Sequence, residues 1–369
     1  MTVRAVVTPP ARLVARSLVR ARTAGWPEYS RLFTLGDRGG WSVDRDAELL
    51  TATARRLGIE VAPAQWARFA VRQSLFLASH FEALTARWLD SSHRLATAYL
   101  HGRPGTPGSP EFDYAFETLR RNPSRLARIQ VTHQEMCELV LSAGVDRERV
   151  FRIPIGVDVE HFPLTTSDLR SGAREELDLP ASAFVVGSFQ KDGVGWGEGL
   201  EPKLVKGPDV LIAALERLRQ DVPELHVLLT GPARGYVRRE LERLGIPYRH
   251  TYAASRRDLA HAYQALDVYL VSSRQEGGPK AVLESMASGI PLVSTRIGQA
   301  QDLVLHETNG WLVDVGNTEG LAAFAAGVRD GVDPDLLRAG RETAERYALE
   351  RLDPDWARLL EGFVARELQ

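Results

Sequence analysis

From Ala183 onward the chain alternates between short apolar runs and segments of helical period. The runs are Ala183–Phe189, Leu225–Gly231, Arg249–Tyr252, Val268–Ser273, Ile290–Ser294 and Trp311–Val315. The helical segments between and after them are Asp209–Arg219, Val237–Leu244, Asp258–Ala265, Ala281–Ser288, Ala300–Leu305 and Gly320–Val328. A strand followed by a helix must cross over to its neighbour, and crossovers make neighbouring strands parallel. Parallel sheets are covered on both faces, so the fold class is α/β. Ligands of such sheets bind outside the carboxyl ends of the strands. Ser188, Gly231, Tyr252 and Ser273 fall at or near those ends.

The N-terminal half carries the same pattern less cleanly. Arg31–Leu35 reads as a strand, Gly36–Trp41 as a turn and Asp44–Leu57 as a helix. Further strands are predicted at Ile59–Val61, Ser74–Ala78, Leu95–Leu100, Ile129–Thr132 and Val150–Ile155. Ile155–Pro163 has the turn and proline character of a hinge. A length of 369 residues fits two domains. The boundaries read 1–163 and 164–352, with a C-terminal helix over 353–369 packing back on the first domain.

Between two of the apolar runs lies SSRQEGGPKAVLESMASG, from Ser272 to Gly289. Gly277, Gly278 and Pro279 form a turn that opens a helix at Lys280 and Ala281. A helix start presents free N–H groups and the positive end of the dipole, which suits phosphate. Glu276 precedes the turn and Glu284 lies within the helix, so both carboxylates can face one ligand. They could serve as a general acid and base, or grip hydroxyls. A phosphorylated ligand bearing hydroxyls describes a nucleotide sugar. Lys206, just before the helix start Gly207-Pro208-Asp209, reaches over the same sheet edge and could hold a diphosphate. Lys280 could add a second cation.

The formal charge of −2 gives no global pull toward nucleic acid or membrane. The single cysteine, Cys137, excludes an internal disulfide framework and a cysteine-based zinc site. No apolar run reaches membrane-spanning length, and Pro9 and Pro10 interrupt any signal-peptide core, which together point to a cytoplasmic protein. Arg12, Arg16 and Arg20 recur every four residues beside Leu13, Val14, Leu18 and Val19. Such a face could make peripheral contact with an anionic membrane, or pack as a solvated helix. Asp333-Pro334-Asp335 and Asp353-Pro354-Asp355 read as helix starts, and no metal site is predicted.

Four ordered elements carry a family resemblance. Lys206-Gly207-Pro208-Asp209-Val210-Leu211 with Ala213-Ala214 resembles the KG-x-D-x-L-x-x-A element of retaining GT-B glycosyltransferases of family 4. Glu276–Gly289 resembles that family's EG…E-A-M-A-x-G-x-P signature, with Ser285 in place of the usual alanine. Ile153–Asp158 with Phe162 is similar to its IPNGVD…F hinge, with Ile155 replacing asparagine, and Asn309–Val313 to its NG-x-L-V strand. The resemblance covers roughly residues 150 to 330. It implies a GT-B fold: two Rossmann-like domains with parallel sheets facing a central cleft.

It also implies roles. Glu284 would accept hydrogen bonds from the ribose, Glu276 would lie by the donor sugar, and Lys206 would hold the diphosphate with backbone groups from Gly278 to Ala281. The family's arginine after the first-strand glycine is absent, since Gly187 is followed by Ser188; Lys191 or Lys203 would replace it. The insertion Asp192–Pro202 could be a flexible lid with Trp196 as cover. In the first domain Gly39 and Gly40 would approach donor or acceptor, and His101 would stand near the donor sugar; His133 also ends a strand. The implied activity is a metal-independent, cofactor-free hexosyl transfer with retention, from a UDP- or GDP-linked sugar to a carbohydrate, lipid-linked or small-molecule acceptor. The setting would be bacterial glycan, glycolipid or glycoside biosynthesis. A non-catalytic nucleotide-sugar or glycan binder on the same scaffold is the alternative, followed by a hydrolase or epimerase of the same fold.

Overall fold

The computed structural model describes residues 9–37 and 42–365. They form two compact units. The first holds the described residues up to Val131, then Met136–Ile153 and the segment from Asp353; the second holds Thr132–Glu135 and Pro154–Leu352.

In the first unit β1 (Leu32–Leu35), β2 (Ser74–Leu77), β3 (Arg94–Ala98), β4 (Leu126–Val131) and β5 (Val150–Arg152) form a parallel sheet in that order. Alternating residues feed its two faces. Phe33, Leu75, Leu77, Leu95 and Ile129 enter one core cluster; Leu32, Phe76 and Ala96 enter the other. Leu359, Leu360 and Phe363 complete the second cluster, behind a helix over Asp353–Leu360. That helix is fastened by Arg56 to Asp353 at 2.7 Å and followed by a carbonyl, Phe363 O, that accepts from Ser74 Oγ at 2.5 Å. It ends at Leu360, short of the predicted helix to the terminus.

Ile59–Val61 is not a strand. Val61 makes one bridge to Leu32, and Pro63, which has no N–H to donate, precedes a 3-10 turn at Ala64–Trp66. The N-terminal basic stretch is a helix, Pro9–Thr23. Arg16 and Arg20 are exposed, Val19 is buried, and Val14 and Leu18 face solvent. Among the described residues no helix is long and apolar enough to cross a membrane.

The second unit contains β6 (Phe184–Ser188), β7 (Leu225–Thr230), β8 (Tyr248–Thr251), β9 (Val268–Val271), β10 (Leu292–Thr295) and β11 (Trp311–Val313). The sheet runs β11-β10-β9-β6-β7-β8 and every pairing is parallel. Chain order therefore reverses at β6, which pairs with β7 on one side and β9 on the other. Helices that leave in opposite directions open a crevice at the carboxyl ends of such a strand pair. Both faces are packed: Val185, Leu228, Tyr269 and Val271 on one, Val186, Val227, Leu229 and Leu270 on the other. Truncating one of the buried leucines to alanine would cost about 2–5 kcal/mol. Gly187 is required mid-strand, because a Cβ there would lie 2.3 Å from Leu266 Cδ1.

The units divide at Ile153/Pro154, ahead of the boundary read at residue 163. Val157 and Phe162 explain the shift, since both are buried in the second unit's core. Val157 also bridges to Ala348, with backbone bonds of 3.1 Å to Tyr347 and from Leu349. The segment expected to be a hinge is thus largely built into one core.

Candidate active site

The crevice at the β6/β9 switch point gathers the polar residues of the second unit. The loop after β9 brings Glu276 to Lys206, which ends a 3-10 turn over Leu204–Lys206; Nζ and Oε2 stand 2.5 Å apart and both side chains are largely buried. Glu276 Oε1 also faces the Ser273 hydroxyl at 2.9 Å. The same hydroxyl lies 2.9 Å from Gln190 Oε1, and Gln190 Nε2 donates to the Lys206 carbonyl at 2.7 Å. Two strand ends are thereby tied together, one supplying Gln190 and the other Ser273. Gly207, with φ +61°, lies under Ser272 so closely that a Cβ would meet its carbonyl oxygen at 2.0 Å. Only glycine allows Lys206 to sit there.

The turn Gly277-Gly278-Pro279 leads into the helix Lys280–Ala287. It is held from below. Thr132 Oγ1 donates to the Gly277 carbonyl at 2.6 Å, with His133 Nδ1 2.9 Å from the same hydroxyl, and Gln299 N donates to Gly277 O at 3.0 Å. Burial pushes His133 below its ordinary range, so the imidazole is a neutral prop for the turn. A Cβ on Gly278 would lie 2.7 Å from Ile155 Cδ1, which accounts for the second glycine. Pro279 supplies no N–H, so the donors of this turn are Gly278, Lys280 and Ala281. Lys280 and Ala281 are the first two helical residues and are partly buried.

Glu284 is placed by Tyr263, whose hydroxyl donates to Oε2 at 3.0 Å. Tyr263 is fully buried among Phe162, Phe189 and Tyr269. Burial, and then the charge of Glu284, hold its pKa well above the ordinary tyrosine value, so it remains a donor. Lys191 Nζ donates to Gly193 O at 3.0 Å and stands 5.0 Å from the Trp196 ring. Its pKa is lowered by burial and then by the charges of Lys203 and Lys206.

Ser188 does not join this group. It is fully buried, with its carbonyl and hydroxyl turned to the guanidinium of Arg234 at 2.6 and 3.4 Å. Nor is Asp192–Pro202 a loose lid. Gly193 bridges Pro202, Val194 N donates to Glu201 O at 2.9 Å, and Gly235 N and Tyr236 N donate to Glu198 O and Gly199 O at 2.7 and 2.9 Å. The loop owes this to its glycines: Gly193 and Gly199 lie against Ala233 where a Cβ would come within 2.3–2.4 Å of its carbonyl oxygen.

In the first unit His101 follows β3, half-buried, with Phe112, Phe81 and His80 ring centroids at 5.6, 5.8 and 5.8 Å. His80 was not singled out by sequence; it is buried, stacked on Tyr99 at 4.0 Å, and held neutral by desolvation and then by His101. Gly39 and Gly40 lie outside the described residues. The Asp-Pro-Asp strings are structural. Asp333 accepts from Asp335 N at 2.9 Å at a helix start, and Asp353 pairs with Arg56.

Residues 197–328 match the sequence family described as Glycosyl transferases group 1. The chain is 36% identical over 200 residues to a D-inositol 3-phosphate glycosyltransferase of Xylanimonas cellulosilytica, covering 51% of this chain and 45% of that protein. It is 28% identical over 243 residues to the protein of the same name from Mycolicibacterium smegmatis, covering 63% and 50%. The family match thus falls within the second unit, and the chain is similar there to group 1 glycosyl transferases. The chain spans about half the length of the curated relatives it matches. Among solved structures it is similar to Anabaena HepE in complex with UDP and glucose, with a TM-score of 0.71, 18% identity, and coverage of 90% of this chain and 100% of that one. A Rickettsia africae glycosyltransferase gives 0.67, 15%, 91% and 100%. At these identities the likeness shows the fold, which is GT-B.

Three residues at or beneath this site lay beyond the sequence reading. Tyr263 sits in a helix where an aromatic reads as core, and Gln190 in a loop; Arg234 is a charged loop residue that a sequence would place in solvent.

Proposed function

We propose that this protein transfers a sugar from a nucleoside diphosphate sugar to an acceptor hydroxyl, with retention at the anomeric carbon. The observation that carries the reading is the Lys206–Glu276 pair, set on Ser273 beside the Gly277–Ala281 turn at the switch point. Lys206, with Lys191 or Lys203 and the N–H groups of Gly278, Lys280 and Ala281, would receive the diphosphate. Glu284, aimed by Tyr263, would accept from the ribose hydroxyls, and Glu276 would stand by the donor sugar.

In the reaction the bond between the anomeric carbon and the phosphate oxygen breaks, and the acceptor oxygen bonds to that carbon on the same face. The acceptor proton passes to the departing phosphate oxygen, so no strong base is required. Lys206 offsets the charge that develops on the leaving group. The reading calls on side-chain cations for this and assigns no metal or other cofactor.

The solved HepE complexes make UDP and UDP-glucose the first ligands to try, with GDP as the alternative. The names of the curated relatives make a phosphorylated cyclitol the first acceptor to try. UDP-glucose should be hydrolysed slowly without acceptor and turned over faster with one. Glu284→Ala should weaken nucleotide binding and Lys206→Ala should reduce turnover. Unchanged turnover in both variants would overturn the assignment of the site, whereas binding without any hydrolysis would leave a non-catalytic binder.

A further inference from the structure

Beneath the three lysines lies an ion pair sealed from solvent. Arg234 Nε and Asp192 Oδ1 are 3.0 Å apart and both side chains are 0% exposed. Arg234 also donates to the carbonyls of Ser188 and Thr230, at 2.6 and 3.2 Å, so it joins the ends of β6 and β7. Asp192 stands at the neck of the insertion. Its backbone carbonyl accepts from Lys203 N at 2.7 Å, its neighbour is Lys191, and Lys206 N donates to Lys203 O at 2.8 Å. The Gly193–Pro202 bridge closes the neck, which fixes the spacing between Lys191 and Lys203. All three lysines thus emerge from backbone that this pair anchors to the sheet.

A buried pair is poor value as stability alone, because desolvation offsets most of its attraction. Placing it where three like charges converge gives it a use. We propose that Asp192 and Arg234 are positioning residues that hold Lys191 and Lys203 beside Lys206 as one cradle for a diphosphate. The proposal rests on the donor reading above, and its ligand class is the diphosphate group itself.

Inorganic pyrophosphate and UDP are the two probes, measured by calorimetry beside thermal melting of each variant. Asp192→Asn and Arg234→Met are expected to weaken pyrophosphate binding about tenfold, which is roughly 1.4 kcal/mol. The double variant Asp192→Leu/Arg234→Met replaces the pair with apolar side chains and guards against a variant that fails to fold. It should stay folded, melting below the native protein because the Ser188 and Thr230 carbonyls lose this donor, and show the same loss. Lys191→Gln added to it should cost less than twofold more, because the lysine is already misplaced. Native pyrophosphate affinity in the folded double variant, or a full independent loss on adding Lys191→Gln, would overturn the proposal. Pyrophosphate binding without UDP binding would sink the nucleotide reading and leave the cradle standing; binding of neither would sink both.

Discussion

In the first sheet the described strands lie side by side in chain order, β1 to β5, whereas the second turns back on itself at β6. Both are parallel and both are buried on two faces, yet their carboxyl edges differ. Along the first, His80 and His101 end in ring packing against Tyr99, Phe81 and Phe112. Along the second, β6 and β9 converge on Gln190, Ser273, Glu276 and Lys206, joined by short polar contacts. Strand order decides where crossovers diverge, and charge has collected where they do.

The largest effect that could break this contrast is on turnover. Lys206→Ala should lower kcat with UDP-glucose by about 10²–10³, the scale for loss of one group stabilising transition-state charge. The variant should stay folded, with a lower melting temperature because Glu276 loses this cation. Next comes Tyr263→Phe, which leaves Glu284 without its buried donor. A hydrogen bond to a charged group is worth about 1.5–3 kcal/mol, so UDP affinity should fall by tenfold or more, read by titration. Gly278→Ala should cost about 1–3 kcal/mol in urea unfolding, because its Cβ would press on Ile155 and Gln299.

The smallest effect belongs to the first sheet. His80 titrates below its unfolded value of 6.5, chiefly through burial. The unfolded chain then binds a proton that the folded one refuses, so this stability is complete above pH 6.5 and is lost as pH falls below it. The slope is at most about 1.4 kcal/mol per pH unit. His80→Phe should flatten the acid side of the stability profile between pH 6.5 and 5 without changing nucleotide affinity.

What could be read in advance follows the range of the interactions. Val268–Val271 is apolar and buried throughout, and Leu225–Thr230 departs from that only at the partly buried His226 and the buried Thr230, so pattern and structure agree. Glu276, Lys206 and the glycine turn were legible because glycine and proline mark backbone geometry locally. Ile59–Val61 misled because a β-rich triplet does not say whether a proline will stop the pairing after one bridge. Asp192 and Arg234 were invisible for another reason. Each sits in a glycine-containing loop that reads as solvated, and the burial of one depends on a partner 42 residues away. The insertion likewise looked loose, because the contacts of Gly193 and Gly199 are with Ala233, which lies on another loop.

Hydrogen exchange with and without saturating UDP tests the switch-point site most directly. A ligand held there should slow exchange at residues 189–191, 203–209 and 276–284 together, while amides at the amino ends of the same strands stay unchanged. Protection confined to the first unit's sheet, or an unchanged loop after β9 with UDP demonstrably bound, would contradict it.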